Sequence, residues 1–143
     1  MPKDYSGQYL QGRSFAFHDL TGADFSGADL QGATFWKANL SWAHLIGANL
    51  SEANLCRADL SGADLTGAKL IGAKLSGANL FGADMTSANQ RFADLFGANL
   101  FNADLTGADL FGADMTSADL TNVIGYRPPS DDDEADGPER IND

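Results

Sequence analysis

The chain has very few of the residues from which catalytic and metal sites are built. Its 143 residues include one cysteine, Cys56, and two histidines, His18 and His44. A single cysteine excludes an intramolecular disulfide and favours a reducing cytoplasm. The sequence contains no Cys-x-x-Cys cluster, no phosphate-binding glycine loop and no dinucleotide fingerprint. It therefore predicts a protein that is not an enzyme, with no catalytic residue, no cofactor and no metal site.

Long apolar segments and basic residues are also scarce. No stretch approaches the ~20 apolar residues of a membrane-spanning helix, and the first residues lack the apolar region of a secretory signal. Nine Lys and Arg stand against 20 Asp and Glu, which gives a formal net charge of −11. Because nucleic-acid binders need basic surfaces to neutralise phosphates, this balance predicts no direct contact with nucleic acid. We expect an acidic, soluble, cytoplasmic protein that does not bind membranes.

What the chain does have is a repeat of five residues. From Ala23 to Ala118 every fifth residue is alanine, without insertion, and a large apolar residue follows two positions after each alanine. We call this second residue the central residue of its pentapeptide. Residues 3–122 make 24 pentapeptides, whose central residues are 17 Leu, three Phe, two Met, Tyr5 and Gln90.

A period of five fits neither a helix nor a continuous strand. A step of five residues rotates ~140° around a helix, so the leucines would spread over every side. In a strand an odd period would move them to the other face at each repeat. Within one repeat, however, alanine and central residue point the same way. Glycine is the second residue after the central one in 14 of 24 repeats, as a turn with positive φ prefers. The pattern predicts short extended sides joined by turns.

Runs such as Ala63-Asp64-Leu65-Thr66-Gly67 resemble the pentapeptide-repeat proteins. The resemblance covers residues 3–122, and so long a period is highly specific. It implies an all-β fold, a right-handed quadrilateral β-helix with four pentapeptides per coil. The 24 pentapeptides would then form about six coils, a solenoid roughly 29 Å tall at the usual strand spacing. In such a coil both alanine and central residue point into the core.

The two ends of the chain depart from the pattern. In the first coil the four alanine sites hold polar residues, so we expect residues 1–22 to form an N-terminal cap over the core of a β-helix at 23–125; these residues are Lys3, Gln8, Arg13 and His18. Residues 126–143 carry seven acids and two arginines, and they predict an acidic disordered tail. A docking segment for a basic partner is the alternative.

Residues 20 apart should stack in columns, so each side of the coil can be read from the sequence. One column is acidic and predicts a flat acidic face; it consists of Asp4, Asp24, Asp64, Asp84 and Asp104, with His44 between them. His44 could bind a cation weakly between its acidic neighbours, and a solvated histidine is the simpler alternative. The opposite side carries Lys37, Arg57 and Lys74 beside Trp36.

Outward phenylalanines are concentrated near the end of the repeat. Contiguous exposed apolar area is typical of interaction surfaces, and the sequence predicts such a patch at Phe81, Phe92, Phe96, Phe101 and Phe111. Stiffening of the coil by stacked rings is the alternative. Phe81 and Phe101 should form a stacked pair. Gln90, the one polar central residue, either bonds to the coil backbone or distorts its coil.

The most economical hypothesis is a non-enzymatic protein-interaction or structural module. Its partner would be another protein or a second copy, as a homodimer through the C-terminal coils. The alternative comes from a branch of the resembling family that mimics DNA and binds type II topoisomerases. Residues 3–122 contain 13 acids and 7 bases. The net negative charge of this segment is roughly one per 5 Å of rod, against one per ~1.7 Å of DNA, so its charge density is too low for a close mimic.

Overall fold

The chain winds into a solenoid in which successive circuits lie side by side. The computed structural model describes residues 1–128, and within that range there is no helix and no strand longer than one residue. The β structure consists of single-residue parallel bridges, each joining two residues 20 apart, from Asp4–Asp24 to Asp104–Ile124. One circuit, which we call a coil, therefore takes four pentapeptides. We number the four sides from the pentapeptides of Tyr5, Leu10, Phe15 and Leu20.

Backbone hydrogen bonds connect each coil to the next in a fixed pattern. The amide of a central residue donates to the carbonyl 19 residues later, as Leu50 does to Lys69 at 2.7 Å. The amide one residue before a central residue donates to the carbonyl 21 residues earlier, as Asp64 does to Ala43 at 2.9 Å. Such pairing satisfies backbone groups that would be costly to bury without partners.

A turn follows each central residue and brings the chain round to the next side. The amide three residues after a central residue closes the turn, as in the 3.0 Å bond from Ala53 to the carbonyl of Leu50. The second residue after each central residue has positive φ, whether it is glycine or a larger residue such as Trp42 (62°) or Phe92 (62°). This is the conformation that a type II turn requires, and the positive φ predicted for this position is confirmed.

The core is a continuous column of alanine and central residues. Ala63 and Leu65 are fully buried, as are the corresponding residues of the neighbouring coils. The small residue leaves room for the large one inside a narrow coil. The predicted inward orientation of both positions is therefore confirmed. At the N-terminal end the central residues are rings that stack between coils, with centroids 4.8 Å apart for Tyr5–Phe25 and 5.1 Å for Phe15–Phe35.

The two ends of the core are covered differently. At the N-terminal end, Arg13 lies over the ring of Phe15 at 5.8 Å, and the ring of His18 approaches the same ring edge-on at 6.0 Å. At the C-terminal end the core side chains are only half-buried; they are Ala108, Ala113, Met115, Ala118, Leu120, Val123 and Tyr126. The end at the last coil is thus the more apolar of the two.

None of the described residues forms a helix long and apolar enough to cross a bilayer. The tail predicted for residues 126–143 lies outside the described residues from residue 129 onward.

Candidate interaction surfaces

The outward residue before each central residue has a structural role in the turn that follows. Where it is Asp or Asn, its Oδ1 accepts a hydrogen bond from the backbone N–H two residues later, as Asp64 does from Thr66 at 3.0 Å. In several of these turns the hydroxyl of a Thr or Ser at that second position adds another bond, as Thr66 does at 2.6 Å. This is the local bonding that makes Asp, Asn, Ser and Thr turn residues.

The predicted acidic face lies on the first side of the coil, where parallel bridges align its members. Each carboxylate accepts from the Ser or Thr two residues later; the five are Asp4, Asp24, Asp64, Asp84 and Asp104. The Thr106 hydroxyl and then its backbone N–H hold the pKa of Asp104 below its ordinary value. One oxygen of each carboxylate is thus engaged in its own turn, which gives these acids a role in the fold.

His44 bridges Asp24 and Asp64 in the acidic column through its backbone. Its side chain is exposed. Within residues 1–128 no group of three or more His, Cys, Asp or Glu side chains is arranged to hold a metal ion.

The structure brings two of the predicted patch residues together at the turn that follows the fourth side. The rings of Phe81 and Phe101 stack with centroids 5.5 Å apart and planes 3° from parallel. Phe81 is exposed and Phe101 half-buried. The stacked pair predicted from their spacing of 20 residues is confirmed, and it presents one continuous aromatic strip across two coils.

A second aromatic pair lies at the turn between the second and third sides. Phe92 and Phe111 meet edge to face at 5.7 Å. The guanidinium of Arg91 lies 4.6 Å from the centroid of Phe111 and bonds Asp109 at 2.9 Å. A cation over an aromatic face is stabilised by the ring quadrupole. Sequence reasoning missed this cluster, because its rings come from different positions of the pentapeptide and are 19 residues apart.

The predicted patch is divided among three turns of the coil. Phe96 lies at the turn between the third and fourth sides, and no ring contact joins it to either pair in the described part of the chain. It is 48% exposed, much like Phe92 at 50%. The phenylalanines therefore form two pairs and a single ring around the last coils, and they leave the acidic side free of aromatics.

Gln90 is fully buried and follows neither of the two predicted alternatives. In residues 1–128 neither Oε1 nor Nε2 has a hydrogen-bond partner, so the side chain does not bond to the coil backbone. The coil is not distorted either, since the amide of Gln90 donates to Asp109 at 2.8 Å and its carbonyl accepts from Ala93 at 3.1 Å, the same two bonds that Leu70 makes one coil earlier. The inter-coil bonds keep the backbone of this repeat regular. The side-chain amide of Gln90 is left buried without hydrogen bonds, which destabilises the fold.

Comparison with known proteins identifies the repeat. The family model described as pentapeptide repeats matches in eight copies, over residues 9–47, 38–77, 58–100 and 91–124. These matches together span nearly all of the repeat. No curated protein sequence matches the chain.

Several solved structures are similar to this one. The pentapeptide repeat protein Rfr23 of the cyanobacterium Cyanothece 51142 is 30% identical with a TM-score of 0.55, over 84% of this chain and 89% of the other. A pentapeptide repeat protein of the Arabidopsis thaliana thylakoid lumen is 32% identical with a TM-score of 0.59, over 92% and 74%. One from Nostoc PCC 7120 is 41% identical with a TM-score of 0.52, over 52% and 62%.

These neighbours give the hand and the class of the fold. They imply a right-handed β-helix, which agrees with the parallel bridges between residues 20 apart. Proteins built of this repeat are in general structural or interaction modules without enzyme activity.

Proposed function

Because this chain belongs to the pentapeptide-repeat family, we propose that it works as a protein-interaction module and has no enzyme activity. In this role the solenoid is a rigid support for the side chains on its surface. Proteins of this architecture present extended surfaces rather than deep pockets. We infer a quadrilateral coil of about six circuits that acts in the cytoplasm, where its free thiol at Cys56 would stay reduced.

We propose further that the partner is a second copy, bound through the last coils as a homodimer. The observation that carries this proposal is the half-buried apolar end of the core, where Met115 and Leu120 remain partly accessible. Two aromatic pairs, Phe81–Phe101 and Phe92–Phe111, lie on the coils that lead to this end. Apolar and aromatic residues together are the composition typical of the buried centre of a protein–protein interface.

The N-terminal end supports a symmetric arrangement. There the sites that hold alanine elsewhere carry exposed polar or charged side chains, including Lys3 and Arg13. Stacking that end against the apolar C-terminal end of another copy would bury these charges without partners, at a cost of several kcal/mol. Two C-terminal ends can meet without that cost, and a two-fold contact closes after one pair instead of growing into a filament.

We do not propose the DNA-mimic alternative. Such a mimic needs a negative charge density close to that of DNA. Residues 3–122 carry roughly one net charge per 5 Å of rod against one per ~1.7 Å of DNA, and the third side carries the bases Lys37, Arg57 and Lys74.

Light scattering over a range of concentrations tests the homodimer. We expect a dimer for the unchanged protein and a monomer for Phe81→Ser/Phe101→Ser. The matched control is Tyr9→Ser/Phe17→Ser, which removes two exposed rings from the N-terminal coils and should leave the dimer intact. A monomer for the unchanged protein at every concentration, or an equal loss of mass in the control, would contradict self-association through the C-terminal coils.

A further inference from the structure

The third side of the coil is unlike the other three, because over the first four coils it carries no acid. Its outward residues there are Ser14, Ala16, Phe17, Thr34, Trp36, Lys37, Asn54, Cys56, Arg57, Lys74, Ser76 and Gly77. The first acid on this side is Asp94 in the fifth coil. In a chain with a net charge of −11, a side with three bases and no acid is a pronounced asymmetry.

The three bases lie next to one another along this side and form what we call the basic strip: Lys37, Arg57 and Lys74. The amide of Lys37 bonds the carbonyl of Cys56 at 3.1 Å, so Lys37 and Arg57 lie at the same turn of successive coils, ~4.8 Å apart along the axis. The stem of Arg57 crosses Gly77 in the next coil, three residues after Lys74. All three side chains are exposed.

Among residues 1–128 none of the three bases has an acidic partner. Among the described residues the one ion pair joins Arg91 and Asp109, and no hydrogen bond from the Lys37, Arg57 or Lys74 side chain occurs in residues 1–128. The ammonium of Lys37 lies over the ring of Trp36 at 4.9 Å. No carboxylate of residues 1–128 therefore neutralises the basic strip.

Two exposed rings adjoin the basic strip at the end nearer the N-terminus. Phe17 and Trp36 meet edge to face at 5.1 Å, and Phe17 is 66% exposed. Phe17 also holds a turn position with a φ of 64°, a conformation that a large side chain adopts only at a cost. The rings offer apolar contact next to the three positive charges.

We propose that the basic strip and these two rings form a docking surface for an extended acidic peptide that carries an apolar or aromatic residue. Alternate side chains of an extended peptide lie ~6.8 Å apart on one side, a distance that the flexible Lys and Arg stems can span. A short peptide suits the site better than nucleic acid, since the net charge of −11 opposes a polyanion with one phosphate per ~3.4 Å of strand. This inference rests on the proposed role as an interaction module, but it uses a different surface from the homodimer.

The test uses a fluorescein-labelled peptide in which Glu alternates with Ser and one Trp is placed at the end. Fluorescence anisotropy with the full chain should show binding that weakens as the salt rises from about 0.01 M to about 0.15 M, because the Debye length falls from ~30 Å to ~8 Å. Lys37→Gln/Arg57→Gln/Lys74→Gln should weaken binding roughly tenfold or more, which corresponds to about 1.4 kcal/mol. Phe17→Ser/Trp36→Ser should weaken it without changing the salt dependence.

The matched control is Lys69→Gln, which removes an exposed base from the second side and should leave binding unchanged. An equal loss in this control, equal binding of a peptide with Gln in place of Glu, or tighter binding of oligouridylate would overturn the proposal. Light scattering on the same variants should give the mass of the unchanged protein. Loss of peptide binding and loss of the dimer are therefore distinguishable.

Discussion

The six-membered ring of Trp42 fills the space into which a side chain at Gly62 would have to grow. A Cβ on Gly62 would lie 2.6 Å from Cε3 and from Cζ3 of the indole, closer than real Cβ contacts allow. The two residues occupy the same turn of successive coils, and both have positive φ, 62° for Trp42 and 68° for Gly62. A glycine here thus serves both the turn and the side chain of the coil before it.

Gly62→Ala should therefore be more harmful than the same change at a glycine with open space. Gly82 is the matched control, since it follows Gly62 in the same column, has a φ of 65° and has nothing within 4 Å of a Cβ. We expect Gly82→Ala to cost about 1–2 kcal/mol, from backbone strain alone. Gly62→Ala should cost about 2–4 kcal/mol, since the indole must also move. Urea denaturation followed by circular dichroism measures both.

A second substitution separates the two contributions at Gly62. Trp42→Gly removes the ring and places at residue 42 the amino acid that best tolerates its φ of 62°. In that background Gly62→Ala should cost no more than Gly82→Ala. If the larger cost persists without the indole, the contact is not its cause.

Ala63→Leu tests the inward position of the alanines. Ala63 is fully buried in the middle of the solenoid, and a leucine there would overpack the coil by about 1–3 kcal/mol or more. Ala16 is an outward alanine, half-buried at a turn of the third side, and Ala16→Leu should change stability by about 0.5 kcal/mol or less. Thermal unfolding of the two variants makes the comparison. An unchanged melting temperature for Ala63→Leu would contradict the packing described here.

The exact period explains why so much of the fold was predictable. Once four pentapeptides make a coil, residues 20 apart must stack, and the pairing of Phe81 with Phe101 follows from counting alone. The inward alanines and the positive φ at the turns follow from size and from glycine usage. Each of these depends on a position in the repeat and not on the conformation of one side chain.

Side-chain choices within a fixed backbone were not predictable in the same way. Phe92 reaches Phe111 from a neighbouring turn position, and Arg91 turns towards both Phe111 and Asp109. For Gln90 both hypotheses were wrong: the backbone bonds of its coil are intact, and its side-chain amide has no hydrogen-bond partner in residues 1–128. The identity of a partner is not encoded in the repeat at all; the sequence reveals only which side chains face outward.

Gln90→Leu should stabilise the protein. It replaces two buried amide atoms without hydrogen-bond partners by the apolar side chain found at most other central positions. Burial of an unpaired amide costs about 1–3 kcal/mol, so we expect a gain of that order in the free energy of unfolding. The reverse change one coil earlier, Leu70→Gln, should cost a similar amount, since Leu70 is fully buried in the same column. A neutral or destabilising Gln90→Leu would mean that the amide has a partner after all.

Acidification should destabilise the protein through the aspartates that accept bonds in their own turns. The hydroxyl of Thr116 and then its backbone N–H lower the pKa of Asp114 below the ordinary 3.8, and Thr121 acts in the same way on Asp119. Because the folded-state pKa lies below the unfolded value, folding favours the charged form. This contribution is present above about pH 4 and is lost as the pH falls through the folded-state pKa.

The melting temperature should therefore stay level between about pH 7 and pH 5 and fall below about pH 4. Asp114→Asn/Asp119→Asn keeps the Oδ1 acceptor of each turn but removes the titration, so this variant should lose less stability between pH 5 and pH 3 than the unchanged protein. Thr116→Ala/Thr121→Ala removes the hydroxyls that contribute most to lowering the two pKa values, which brings the folded-state pKa closer to the unfolded one, so this variant should also lose less stability on acidification. An equal acid loss in all three proteins would show that other carboxylates govern acid unfolding.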